Sequence, residues 1–299
     1  MGLTAQGSCR VRASLTTEFS HRTGVLMMLG ASVAWSTSGL FTRAIPLDTA
    51  TTILWRGLFG ALGLIVLIIV LQGRSGLRAF ANLGGAGWAY AFTSGIGMLC
   101  FIGALKNTTV AHVAIIYATV PFAAAALAWL VLREVPSRAA LAASTIALVG
   151  AVTMVGFGDE GHLTGDLIAV VMVISAAVMI VLVRARPNLP TLPAAATSAI
   201  WAPLACLPFA TTAGLDAWNI GMLAAFGFIN TTVALALFIL GSRRLPAVET
   251  ALLSALESPL TPLWVWLIFS ETPGRATLIG GGVVMSAVFW YVSHQSRSH

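Results

Sequence analysis

Ten stretches of about 20 mostly apolar residues follow one another along the chain, and this pattern decides what surrounds the folded protein. A helix crossing a hydrocarbon layer of about 30 Å needs about 20 apolar residues, because each residue rises about 1.5 Å. The stretches cover 24–43, 49–71, 86–105, 110–131, 138–157, 164–184, 193–212, 219–241, 247–269 and 275–293. Short connections marked by Pro, Gly or Asp separate many of them: Pro46-Leu47-Asp48, Val135-Pro136-Ser137, Gly158-Asp159-Glu160-Gly161, Pro187-Asn188-Leu189-Pro190 and Thr272-Pro273-Gly274. None leaves room for an extramembrane domain. The expected fold is therefore an all-α integral membrane protein with ten transmembrane helices.

Composition points the same way. Of 299 residues, 58% are hydrophobic and 9% charged, whereas a soluble domain carries roughly 25% charged residues. In water so few polar side chains could not cover so large an apolar interior. The formal net charge is +6, but the basic residues are scattered singly between apolar runs and form no stripe, so nucleic acid is not an expected partner. Cys9, Cys100 and Cys206 lack metal-ligand spacing, and the last two lie inside apolar stretches as structural thiols. Neither metal nor cofactor is expected. Residues 1–22 contain Arg10, Arg12 and Glu18 but no apolar core or small-residue cleavage site, which reads as a disordered cytoplasmic tail and not a signal peptide.

Cytoplasmic loops of membrane proteins carry an excess of Lys and Arg. With the N-terminus inside, Arg10, Arg12, Arg22, Arg74, Arg78, Arg133, Arg138, Arg184, Arg186, Arg243, Arg244 and Arg297 fall in the cytoplasm. Only Arg43, Lys106 and Arg275 fall outside, with Asp159, Glu160, Asp166 and Asp216, and Arg56 lies within the second helix. Both termini are therefore expected to be cytoplasmic.

The chain also repeats itself. Thr23-Gly24 and Arg43-Ala44-Ile45-Pro46 recur as Thr164-Gly165 and Arg184-Ala185-Arg186-Pro187 at a constant offset of 141. Arg133-Glu134-Val135-Pro136-Ser137-Arg138-Ala139 corresponds to Ser270-Glu271-Thr272-Pro273-Gly274-Arg275-Ala276 at an offset of 137, which also pairs Lys106 with Arg243. Two units result, 23–157 and 164–293, each with five helices. Five is odd, so the second unit enters the membrane from the opposite side. Halves inverted in this way can exchange conformations and open a midplane site to either face.

These features resemble the ten-helix EamA-type permeases of the drug/metabolite transporter superfamily, from about Gly24 to Val292. The resemblance rests on the opening-helix pattern from Gly24 to Trp35-Ser36-Thr37 and on Pro121 standing thirteen residues before Glu134. The second half repeats the latter as Ala251-Leu252-Leu253-Ser254-Ala255-Leu256-Glu257-Ser258-Pro259, ending at Glu271, although Pro259 is one residue closer and Ser258 is the strict counterpart of Pro121. Among these permeases the chain is most similar to bacterial aromatic amino acid exporters. The resemblance implies a multi-pass protein of the bacterial cytoplasmic membrane that exports a small molecule. Its partners would be that substrate and the lipid bilayer, with a single copy as the working unit.

Intramembrane polar groups are costly and face a cavity or a partner, so they are the first site candidates. Glu257, mid-helix, is a site for a substrate ammonium or a proton, or else a structural acceptor. Tyr90, Ser94 and Met98 share one face of the third helix at i, i+4 and i+8. Trp35 lies at midplane, too deep for an interfacial belt. Tyr117 with Ser254, and Thr93 with Asn230, are polar positions recurring at the offset of 137. Met179 and Phe228 complete the expected pocket. His112 and Glu249, also related by 137, stand near the starts of their helices as candidate gate or interface residues, and Pro121 and Pro259 as candidate bends. Arg56 is expected to snorkel outward or to pair with Asp48.

Other functions fit less well. Ser36-Thr37-Ser38-Gly39 and Thr93-Ser94-Gly95 lack any HExxH or GxSxG context, so no enzyme is expected. Filter-like repeats of a channel are missing. A phosphate exchanger would call for two cations near midplane, and only Arg56 approaches that depth. The reading favoured by the residues is export of amino acids, aromatic or large neutral ones foremost, with cationic drugs or other small metabolites as the alternative.

Overall fold

The structure, a computed structural model, describes the backbone of residues 3–108, 110–155, 162–270 and 272–297. Their side chains are described except at 3–19, 74, 102, 105, 106, 110, 111 and 295–297. Asp159, Glu160 and Glu271, and the side chain of Lys106, lie outside the described residues.

Fourteen α-helices lie among the described residues, some sharing one membrane crossing. The first crossing is α1 (Leu3–Ser36) continued by α2 (Ser38–Ala44), the second α3 (Thr49–Ala81), the third α4 (Gly84–Asn107). The fourth is α5 (Val110–Tyr117) with α6 (Val120–Leu132), the fifth α7 (Arg138–Val155), the sixth α8 (Leu163–Ala185). The seventh is α9 (Thr191–Leu204), ended by Pro203 and followed by a 3-10 turn over Leu207–Phe209. The eighth runs through α10 (Ala217–Phe226), a π-helical segment (Gly227–Val233) and α11 (Ala234–Ser242). The ninth is α12 (Ala247–Ser254) with α13 (Glu257–Phe269), and the tenth α14 (Arg275–Arg297). Among the described residues nine spans are long and apolar enough to cross a membrane. The 24-residue α4 stands where the remaining expected helix lies.

Two expectations change. The helix α1 starts at Leu3, so the segment read as a disordered tail is helical from Leu3 onward. Likewise α3 continues to Ala81 through a kink at Gly73 (φ 61°, ψ −150°), so most of the second connection is helix. Glycine tolerates that positive φ without a Cβ clash, which lets the chain bend and resume.

The repeat is visible in three dimensions. The fourth crossing breaks between Tyr117 and Val120, and the ninth between Ser254 and Glu257. Both breaks, and the ends of both following helices at Leu132 and Phe269, are 137 residues apart. Each following helix is capped by a left-handed residue, Arg133 or Ser270, both at φ 57°, the non-glycine residues with positive φ among those described. Helix packing is paired in the same way: α1 lies on α11 as α8 lies on α4, while α3 meets α9 and α7 meets α14 across the pseudo-twofold axis. This is an inverted repeat of two five-crossing halves.

Small residues set the tightest approaches, as expected where lipid gives helices no hydrophobic reason to associate. A Cβ on Gly150 would fall 2.8 Å from the Gly280 carbonyl oxygen, so α7 and α14 cross nearly backbone to backbone. Gly24 and Gly165, counterparts at offset 141, sit against Arg244 and Leu245 and against Asn107 and Thr108 respectively.

Candidate functional site

Two helix breaks interrupt the fourth and ninth crossings, and each is built from the backbone upward. At the first break the chain tightens into 3-10-type bonds, with Thr119 N–H donating to the Ile116 carbonyl at 3.0 Å. Pro121, which has no N–H, restarts the helix as one of the first residues of α6. At the second, Ala255 N–H donates to Leu252 O at 3.1 Å and Ser258 N–H to Ala255 O at 3.3 Å. Glu257 is the first residue of α13. Its carboxylate therefore stands at the start of a helix, where the helix dipole favours negative charge. The local structure thus offsets part of the cost of a carboxylate at that depth.

Glu257 interacts electrostatically with Arg56 of α3 and with Tyr117 at the end of α5. All three are enclosed by protein yet half-buried, so each keeps accessible surface on an internal space. Arg56 does not pair with Asp48. The Asp48 carboxylate caps α3 by accepting from Thr51 N–H at 2.9 Å and also accepts from Thr211 Oγ1 at 3.1 Å. The Arg56 guanidinium instead lies over the Phe226 ring, 4.9 Å from its centroid. Phe226 is stacked on Phe41 at 4.9 Å with ring planes 10° apart. A Cβ on Gly227 would collide with the Arg56 carbonyl, so glycine there holds the eighth crossing directly against Arg56.

Several other expected pocket residues are already engaged with protein partners. Trp35 Nε1 donates to the Asn230 carbonyl at 3.0 Å, and Asn230 Nδ2 donates to Ala34 O at 3.1 Å and Thr37 Oγ1 at 3.0 Å. Trp264 Nε1 donates to Ser36 Oγ at 2.8 Å. These bonds tie the bend of the first crossing to the eighth and ninth. Ser254 is buried, and its hydroxyl donates to Thr250 O at 2.9 Å. Ser94 Oγ meets Ser198 Oγ at 3.0 Å, and Tyr90 is fully buried in the core, so that face of α4 is covered by α9. Met98, Met179 and Tyr117 are half-buried. Phe228 is 53% exposed and packs by Gly63 instead of joining the others. Two open hollows, one along Met285–His294 and one between 82–86 and 185–190, contain none of the expected substrate-contacting residues.

His112 and Glu249 each join a partner the sequence reading did not supply. His112 Nδ1 lies 3.0 Å from Asp166 Oδ2, and Asp166 also accepts from Thr108 Oγ1 at 2.8 Å. His21 Nε2 lies 3.0 Å from Glu249 Oε1, and the buried Glu249 is reached by Tyr291 as well. The two pairs are pseudo-symmetric, each joining the start of a broken crossing to the start of α8 or to α1. A third pair, Arg184 Nε to Glu134 Oε1 at 2.6 Å, ties the end of α8 to the end of the first broken crossing.

Residues 22–156 and 163–293 each match the EamA-like transporter family. A solved crystal structure, described only as that of a protein, superposes with a TM-score of 0.77 at 18% identity, over 89% of this chain and 95% of the other. That identity establishes likeness of fold alone. No curated relative matches the chain.

Proposed function

The chain belongs to the EamA-like transporter family, and on that premise we propose that it exports amino acids, aromatic or large neutral ones foremost, across the bacterial cytoplasmic membrane. The proposed mechanism is alternating access between the two halves, with both termini in the cytoplasm. The observation that carries the substrate reading is Glu257: an acidic side chain on internal space, at a helix break, whose carboxylate makes no hydrogen bond or ion pair among the described residues. Such a group answers a substrate ammonium. The half-buried Met98, Met179 and Tyr117 supply apolar surface for a bulky side chain. His112 with Asp166 and Glu249 with His21 are proposed to fasten opposite ends of the bundle, and the breaks led by Pro121 and preceding Pro259 to serve as bends.

Export of cationic drugs is the second reading, since it also needs a carboxylate. Purified protein in proteoliposomes should move labelled phenylalanine or threonine faster than empty vesicles, with saturation and counterflow. If no amino acid is moved, the substrate reading is wrong.

A further inference from the structure

The scaffold of this protein is duplicated, but two of its charges are not. At the offset of 137 Glu257 corresponds to Val120, and α9, the counterpart of α3, contains no basic residue to match Arg56. Breaks, caps and close glycine contacts recur because both halves fold alike. A charge that occurs in only one half is not demanded by that fold. Arg56 and Glu257 are two such charges, one contributed by each half: the Phe226 ring under Arg56 stacks on Phe41 of α2, and α2 packs on α13, whose first residue is Glu257.

Their state is energetically unfavourable as it stands. Among the described residues neither side chain makes a hydrogen bond or ion pair; Arg56 has the Phe226 face against it and Cys206 close by. Each ion has lost part of its hydration, and opposite charges in a low-dielectric interior attract strongly. They nevertheless stay apart. The Phe41–Phe226 stack positions the guanidinium, Gly227 locks its backbone, and the helix break fixes Glu257. Two opposite charges held apart on an internal space are complementary to a ligand that is itself a pair of opposite charges.

We propose that Arg56 and Glu257 form a two-point clamp for a zwitterion, with Arg56 taking the α-carboxylate and Glu257 the α-ammonium. This rests on the amino acid reading and deepens it by making Arg56 the residue that determines specificity. A zwitterion neutralises both side chains and carries no net charge into the membrane interior. A plain amine answers Glu257 but leaves Arg56 unpaired beside an added cation. A plain carboxylate leaves Glu257 unpaired. The planar guanidinium donates two parallel hydrogen bonds to a carboxylate, which an ammonium cannot do.

The test compares phenylalanine, phenethylamine and 3-phenylpropionate in proteoliposomes of the full chain. For the wild type, phenylalanine should be transported with KM at least tenfold below the half-inhibitory concentration of either analogue. Arg56→Gln should raise the KM for phenylalanine about ten- to a hundredfold, the range of a lost charge-assisted contact, and Arg56→Lys should fall between. Inhibition or transport by phenethylamine should change less than threefold in the same variants, which also shows that they are folded. Equal potency of phenethylamine and phenylalanine on the wild type overturns the clamp even if no variant folds. So does an unchanged phenylalanine KM in Arg56→Gln. Transport of phenethylamine but not phenylalanine overturns the clamp and favours cationic cargo. If none of these compounds is recognised and no amino acid is moved, the export reading itself falls.

Discussion

Adding one methyl group to α14 tests how the two halves are joined. At Gly280 a new Cβ would lie 2.7 Å from Met154 Cα and nearer still to Met154 N and Gly150 O. All three are backbone atoms of α7, so no rotamer change makes room and the helices must part. Overpacking of this kind costs about 1–3 kcal/mol. Gly282, two residues along the same helix, has nothing within 4 Å of its Cβ position. Both substitutions to Ala gain the same helix propensity, up to about 1 kcal/mol, so their difference isolates the crossing. Gly280→Ala should therefore melt below Gly282→Ala by several degrees, at about 2–4 °C per kcal/mol, in thermal unfolding of detergent-purified protein. Gly282→Ala should match or exceed wild type. Equal melting of the two variants would refute the backbone-to-backbone crossing of α7 and α14.

Three further outcomes are expected. Glu257→Gln should slow amino acid transport about ten- to a hundredfold, from loss of a charge-assisted contact, and should alter its dependence on pH; an unchanged rate across pH removes Glu257 from the mechanism. Asp48→Ala should cost about 1 kcal/mol through loss of the α3 cap. The hydrogen bonds from Thr51, with a smaller contribution from Thr211, hold the Asp48 carboxyl below its usual value. Its stabilisation is therefore present at neutral pH and above the ordinary carboxylate range, and is lost as pH falls through the folded value. Melting curves of Asp48→Ala and wild type should converge in acid, and no convergence would exclude this linkage. Finally, single cysteines at Asn188 and Asp216 should react with impermeant maleimide from the cytoplasmic and external sides respectively. Labelling from one side only would reverse or abolish the assigned topology.

The crossings were legible because length and apolarity alone specify them, and the inversion because an odd number of helices recurs at a fixed offset. The breaks were less legible. Pro121 hints at the first, but Ser254 to Glu257 contains neither Gly nor Pro, and the hint there is Pro259 in the first turn of α13, which has no N–H to bond the Ala255 carbonyl. Arg56 departs from expectation because counting residues along a helix gives depth and not direction. Its orientation depends on Phe226 and Gly227 of the eighth crossing, far away in sequence. Phe228 is expected in the pocket by its place in the eighth helix alone, but it lies in the π-helical segment Gly227–Val233, whose period differs from that of an α-helix, and it is exposed while Phe226 meets Arg56. Asn230 shows another limit: a polar residue at membrane depth signals a requirement for partners, and here Ala34 and Thr37 already meet it.

The contact of Gly150 with Gly280 has a twin elsewhere in the bundle. At the offset of 137 it maps onto Ala143 and Ala287, both buried, so the line that exchanges the two halves passes between the two places and through neither. Spectroscopic labels at the two places would report one motion with its ends exchanged, and the difference between their signals would measure how far the halves depart from equivalence.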